Sequence, residues 1–339
     1  MRTSIVILNW NGAEYLQKFL PVLVENTQIP DVEIVIADNA STDDSLSILE
    51  KNFPTVRIIA LEENYGFASG YNKALWQLKA DYFVLLNSDV EVSAGWLQPL
   101  LSYMKTHENV AACQPKIRSY NKKEYFEYAG ASGGFIDKFG YPFCRGRMLG
   151  KTEKDYGQYD DTVNVFWATG ACLMIRSEVF FAVNGFDTNF FAHMEEIDLC
   201  WRLRGRSYEL VCIPQSVVYH VGGGTLNTES PYKTYLNYRN NLLMLYKNLP
   251  DNELRKTMFV RYFLDYLSAF HLILTGHFNN AFEIFRARHD YKKMRLEYID
   301  TRRTSRQHIT NRKIAEIYSK SIIFQYYFKR KKTYNKLID

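Results

Sequence analysis

An α/β fold is expected, with a mostly parallel central sheet flanked by helices and a basic helical region behind it. Three observations predict it. Short apolar runs alternate with stretches in which leucine and phenylalanine recur every three or four residues. Two of those runs end at a carboxylate, Asp38 and Asp89. The net charge of +5 is also unevenly spread, with 22 Lys+Arg against 9 Asp+Glu in residues 231–339 and 20 against 28 in residues 1–230.

Residues 3–8 read as a buried strand, closed by Asn9-Trp10-Asn11-Gly12. Asn11 and Glu14 have the spacing of a reciprocal helix cap. Leu16, Phe19, Leu20 and Leu23 then mark a helix that Pro21 is expected to kink. A second strand, 33–38, ends in Asp38, and the polar loop 39–44 opens a helix. A third strand spans 56–61. Asn64 to Asn72 leads into another helix, and the run Tyr82 to Leu86 ends at Asn87-Ser88-Asp89. Carboxyl ends of parallel strands share one edge of such a sheet, so Asp38 and Asp89 are expected in one crevice. There Asp89 suits a hard divalent cation shared with a diphosphate; its plainer role is to cap the next helix.

A helix follows Trp96, then a strand near 110–113. Residues 118–163 read as a long irregular segment over the site. Strands are expected at 165–175, 208–213 and 217–220, with an acidic helix from Glu195 between them. Helices are expected over 235–246 and 258–278. Five cysteines without a close pair argue against a disulfide framework or a zinc ribbon and suggest a reducing compartment. The first residues show no signal-peptide pattern.

The blocks 7–12, 38–43, 64–72, 87–89, 169–170, 185–187, 195–200 and His220, in that order, resemble the inverting family 2 glycosyltransferases with the GT-A fold. Within them, the chain looks most like rhamnosyltransferase and galactofuranosyltransferase-like members that build bacterial surface polysaccharides. The resemblance covers residues 3–225. It implies a catalytic domain over 1–230, with a nucleotide-binding half to about 115 and an acceptor half from about 116. It further implies a UDP- or dTDP-sugar donor, a glycan or lipid-linked glycan acceptor, and a divalent metal, Mn²⁺ or Mg²⁺. Asn9, Asp38, Asn39, Asp43, Gly66, Asn72, Asn87 and Ser88 would line the nucleotide. Asp38 matches the carboxylate that contacts the base, where uracil and thymine offer an N3–H. Asp89 would hold the metal with His220, which precedes a run of three glycines. Asn87 stands where the family's first metal-motif carboxylate usually is, which lowers the negative charge available. Glu196 occupies the catalytic-base position, usually Asp, with Glu195 and Asp198 as acceptor contacts or helix-start residues. Trp167 suits either a sugar face or the core.

Two other readings use the same residues: a sugar nucleotidyltransferase and a non-catalytic nucleotide- or glycan-binding module. The first usually has a basic, glycine-rich phosphate loop, and Asn9 to Gly12 carries no Lys or Arg. The second would be marked by loss of Asp89 or Glu196, and both are present. No nucleic-acid partner is expected, because the tail matches no such motif. In residues 258–278, Arg261, Asp265, Ser268, His271 and Thr275 lie on one helical stripe. With the basic excess, this predicts an in-plane helix that docks the chain on the cytoplasmic face of an anionic membrane, or alternatively a helix that packs on the catalytic domain or in a dimer.

Overall fold

The computed structural model describes residues 1–222, 230–310 and 313–338. Strands β1 (Thr3–Asn9), β2 (Val32–Asp38), β3 (Arg57–Ala60) and β4 (Tyr82–Leu86) alternate with helices α1 (Ala13–Glu25), α2 (Ser45–Asn52) and α3 (Gly66–Leu75). The strands lie in the order β3-β2-β1-β4, all parallel. All five residues of β4 are buried, because helices cover both faces. Asn9 pairs with Asp38, and Ile7 with Leu86, so the strands end level. Asn9, Asp38 and the Asn87–Asp89 turn therefore open on one edge, as expected.

The start of α1 differs from the expected cap. Gly12 occupies the cap position. The Asp43 carboxylate accepts from the Ala13 amide (3.0 Å) and from the Ser45 amide (3.1 Å). Asn11 instead accepts from the Thr42 amide at 2.7 Å. A carboxylate from the next loop outcompetes the local pair because it supplies charge to the positive end of the helix. Helix α1 runs through Pro21 as one element.

Past β4 come β5 (Val90–Val92), α4 (Leu97–Thr106) and β6 (Val110–Ser119). Strands β7 (Gly134–Asp137), β8 (Pro142–Cys144), β9 (Arg147–Met148), β10 (Lys151–Thr152) and β11 (Val163–Asn164) follow. Next are β12 (Cys172–Arg176), α5 (Ser177–Ala182), α6 (Glu195–Gly205) and β13 (Glu209–His220). The main sheet continues from β4 as β12-β6-β13-β11, with β5 also on β13. Here it becomes mixed, since β12 runs antiparallel to both neighbours. The two strands expected at 208–213 and 217–220 are one, with a register shift between Ile213 and Val217 around Pro214.

Residues 118–163 are not the irregular cover that was expected. They build most of a second sheet, ordered β10-β9-β8-β7-β14, whose last strand β14 (Ile317–Tyr318) comes from the far end of the chain. Its strands are two to four residues long, and paired charges lie beneath it. Lys116 meets Asp155 at 3.1 Å, and Arg145 meets Asp161 at 2.5 Å. Short strands and buried charge look like a loop by hydropathy alone.

The remaining helices are α7 (Pro231–Asn248), α8 (Asp251–Leu274), α9 (Phe278–Met294), α10 (Tyr298–Gln307), α11 (Ile322–Tyr327) and α12 (Tyr334–Ile338). Composition changes at 231, but packing is continuous, since Lys247 and Asn248 of α7 bond Asp198 of α6. At Arg261 and Asp265 the polar stripe on α8 faces inward. Arg261 and Asp265 are buried and paired at 3.0 Å, and Arg288 of α9 also bonds Asp265. Arg261 reaches the Phe139 carbonyl at 3.0 Å as well. A charged cluster satisfied internally leaves the apolar side of α8 outward. Among the described residues no helix is long and apolar enough to cross a membrane.

Candidate active site

The level ends of β1 and β2 make a rigid frame. Asn9 donates to Asp38 and to the Ser41 hydroxyl, both at 3.1 Å. Asp38 also accepts from the Ser41 amide at 3.0 Å. Asn39 donates to Asn64 (3.0 Å) and to the Gly66 carbonyl (3.2 Å), and accepts from the Tyr65 amide (3.1 Å). Asn9, Asp38 and Asn39 are all buried, so the contacts on view are those that shape the loops. Burial pushes the Asp43 carboxyl up, but hydrogen bonds from Ser45 and Ala13 outweigh it and hold it low. The Asn9 Oδ1 is buried without a partner. A Cβ on Gly12 would lie 2.4 Å from that oxygen, so glycine is what fits beside it.

Asn72 forms a two-bond strap to the Phe186 backbone, donating to its carbonyl (2.8 Å) and accepting from its amide (3.0 Å). Gly66 braces the two halves. Its φ is +71°, and a Cβ there would lie 2.5 Å from the Phe191 ring. The next amide, Phe67, donates to the Phe191 carbonyl at 2.7 Å. Gly66→Ala is expected to destabilise the fold by about 1–3 kcal/mol, from overpacking and left-handed strain together. Thermal unfolding would reveal it, and an unshifted midpoint would show that the two halves are not braced there.

At the β4 end, Asn87 and Ser88 are half-buried and Asp89 is buried. Strand β5 follows immediately, so Asp89 caps no helix. Antiparallel pairing of β5 with β13 sets His220 opposite Val90, next to Asp89. His220 Nε2 lies 3.1 Å from Asp89 Oδ1, and Nδ1 lies 3.2 Å from Glu127 Oε2. Burial lowers the imidazole pKa, yet the two carboxylates outweigh it and carry it up to about 10. Burial raises Asp89, but the His220 charge and hydrogen bond leave it below the usual carboxylate range. Gly222 has φ +76°, and a Cβ there would lie 2.8 Å from Glu127 Oε1. The other two glycines of that run lie outside the described residues.

The acidic helix separates its three carboxylates. Asp198 is fully buried and held by Lys247 (2.7 Å), Arg202 (2.9 Å) and Asn248 (2.8 Å). Burial pushes Asp198 up, and Lys247 and Arg202 hold it down. Those bonds are all internal, and Asp198 has no exposed surface. Glu195 and Glu196 each keep one buried oxygen without a hydrogen-bond partner. Burial and the neighbouring Glu196 charge push the Glu195 carboxyl well up. Glu196 is half-buried, and burial carries its carboxyl up to about 7. Trp167 is core, donating to the Phe135 carbonyl at 2.9 Å.

The segment entering α6 is strained, with left-handed φ at Phe191 (50°), His193 (70°) and Met194 (73°). One side-chain amide holds it. Asn240 Nδ2 of α7 reaches the carbonyls of Phe190 (2.8 Å), Ala192 (2.9 Å) and His193 (2.8 Å). Half-buried Lys233, also on α7, feels the charge of Glu127, and its own charge bears on His193 at the entry to α6. Glu127, Lys233 and Asn240 were missed in the sequence. The only signal for them was polar residues standing in segments that otherwise read as loop or surface helix.

Comparison with known proteins bears on the family and the fold. The sequence profile described as "Glycosyl transferase family 2" matches residues 4–181. The chain is 27% identical over 240 residues to the N-acetylglucosaminyl-diphospho-decaprenol L-rhamnosyltransferase of Mycobacterium tuberculosis, covering 64% of this chain and 75% of that protein. It is 27% identical over 225 residues to the rhamnosyltransferase WbbL of Escherichia coli, covering 64% and 82%. The crystal structure of GalNAc-T7 with UDP, GalNAc and Mn²⁺ is similar with a TM-score of 0.60 and 18% identity, over 90% of this chain and 57% of that one. At that identity the likeness is one of fold.

Proposed function

The chain belongs to glycosyl transferase family 2 and has the GT-A fold, and from that premise we propose that it is an inverting enzyme of bacterial surface-polysaccharide synthesis. It moves a sugar from a UDP- or dTDP-sugar to a glycan acceptor carried on a lipid. The observation that carries this reading is a pair of buried acidic sites, the Asp89–His220–Glu127 cluster where β4 and β13 end and, on α6, the raised Glu196 carboxyl with one oxygen left without a partner. The decaprenol-linked substrate named for the mycobacterial relative supports the lipid-linked acceptor.

The donor set fits a divalent cation. Asp89 offers a carboxylate oxygen; His220, held protonated between Asp89 and Glu127, would offer an imidazole nitrogen only on giving up a proton as the ion enters, with Glu127 behind the ring as the partner that orients it. Among the described residues no set of three or more His, Cys, Asp and Glu forms a complete cage. That suits an ion that takes its remaining ligands from phosphate oxygens and water. When bound, the ion supplies positive charge to a departing diphosphate. Lys233 adds a mobile cation on the same side. Asp38 is proposed to read the base through lone pairs left free by Asn9 and Ser41. Asn9, Asn39, Asp43, Gly66 and Asn72 hold the loops that shape the nucleotide site, with Asn87 and Ser88 at its half-open mouth.

Glu196 is proposed to take the proton from the attacking hydroxyl as the sugar's anomeric carbon is displaced from its diphosphate. Glu195 lies deeper, where burial and the Glu196 charge push its carboxyl well up. Titration of UDP and dTDP with and without Mn²⁺ tests the reading. Affinity should rise with Mn²⁺ in the native chain and lose that gain in Asp89→Ala. Glu127→Gln should weaken the Mn²⁺-dependent part about 10–100-fold. Metal-independent binding of both nucleotides would overturn the assignment of Asp89 and His220.

A further inference from the structure

Between Lys256 and Arg286 the chain has only three charged residues, Arg261, Asp265 and Glu283. The first two are buried in their own ion cluster, and the Glu283 side chain is only 15% exposed. The outward face of α8 instead carries Phe259, Phe263, Leu267, Phe270 and Leu274, spaced four, four, three and four apart, each more than half exposed. The turn at 275–277 continues this stripe onto α9 through Phe278 and Phe282, again more than half exposed. A solvated helix hides its apolar side and shows its charges. This hairpin does the reverse, over a continuous patch of the kind that marks an interaction site.

Its surroundings say what covers it. Exposed Arg255 and Lys256 stand at one end, and Lys292 and Lys293 lie further along α9. The turn that receives Arg261 also anchors α11, where the Ile322 amide donates to Asp137 at 2.9 Å. Helix α11 presents exposed Phe324 and Phe328, followed at once by Lys329, Arg330, Lys331 and Lys332. Pairing with a second copy would bring these basic rims together, at a repulsive cost. A surface that is apolar inside and negative at its boundary suits both features.

We propose that the α8–α9 face, with the α11 end beside it, docks this protein on the headgroup boundary of a membrane rich in anionic lipid, lying in its plane. This goes beyond the sugar-transfer reading, and it is measured without nucleotide or acceptor, so either can fail alone.

The test is flotation of the full chain with phosphatidylcholine vesicles, with and without phosphatidylglycerol, at low and high salt. The expected result is binding that requires phosphatidylglycerol and weakens as salt rises. Phe263→Ser/Phe270→Ser/Phe282→Ser, at exposed positions, should reduce partitioning at least about tenfold. Its thermal unfolding midpoint should match the native chain, which certifies its fold. Arg330→Glu/Lys331→Glu, outside the stripe, should lower the salt needed for release. The proposal is overturned if the native chain stays out of the vesicle layer at low salt, or if the triple variant floats as well as native. It is equally overturned if light scattering finds a dimer that the triple variant breaks, with no vesicle binding.

Discussion

Glu196→Gln is expected to lower turnover by about 10²- to 10⁴-fold and to leave nucleotide binding unchanged, because the amide keeps the shape and removes the proton acceptor. Transfer rate and UDP affinity, measured on one preparation, check it. Near-native turnover in Glu196→Gln, with loss in Glu195→Gln, would assign the base to Glu195. The pH profile adds a second test. Burial carries Glu196 up to about 7, so the active, ionised form is lost below neutrality and the rate should fall about tenfold per unit there. Stability runs the opposite way. A carboxyl raised above its ordinary value stabilises the fold while protonated, fully below about 4.5, and that share is lost as pH rises through about 7. The chain should therefore gain activity and lose part of its stability over one pH window.

Lys247→Met is expected to cost about 3–5 kcal/mol of folding stability. Lys247 is buried between Asp187 (2.6 Å) and Asp198 (2.7 Å), and removing its ammonium leaves two carboxylates short of a cation. Asp198 keeps Arg202 and Asn248, whereas Asp187 keeps only the Tyr298 hydroxyl at 3.1 Å and the Asn189 amide at 3.2 Å. Urea unfolding gives the number. A loss below about 1 kcal/mol would mean that water or rearrangement supplies the missing charge.

The parallel half of the sheet was legible because its strands are apolar on both faces and stop at polar turns, so Asp38 and Asp89 could be set on one edge from spacing alone. Glu196 could be singled out by resemblance, but its separation from Asp198 could not. That depends on Lys247 and Asn248, which arrive from a helix whose sequence reads as surface. The second sheet was missed because Lys116, Arg145 and Asp137 occupy buried positions where hydropathy expects apolar side chains. The stripe of Arg261 and Asp265 was legible from spacing, but the side it faces was not. Periodicity reports that two faces differ, and only the partners Arg288 and Phe139 decide which one is inside.

Buried Asp198 has a consequence for the chain as it is made. Its partner Lys247 lies 49 residues later, and the Ile322 amide that completes the turn at Asp137 lies 185 residues later. A growing polypeptide that ends shortly after α6 leaves Asp198 with Arg202 alone, without the Lys247 and Asn248 that satisfy it when buried, so that helix is not yet docked as in the complete chain. The four parallel strands have their mutual pairings by residue 86 and can form first, while β12 on β4 and the bonds from α3 to Phe186 and Phe191 come later. The main sheet is then completed outward from β4, and the strand from 317–318 closes the second sheet near the end of synthesis.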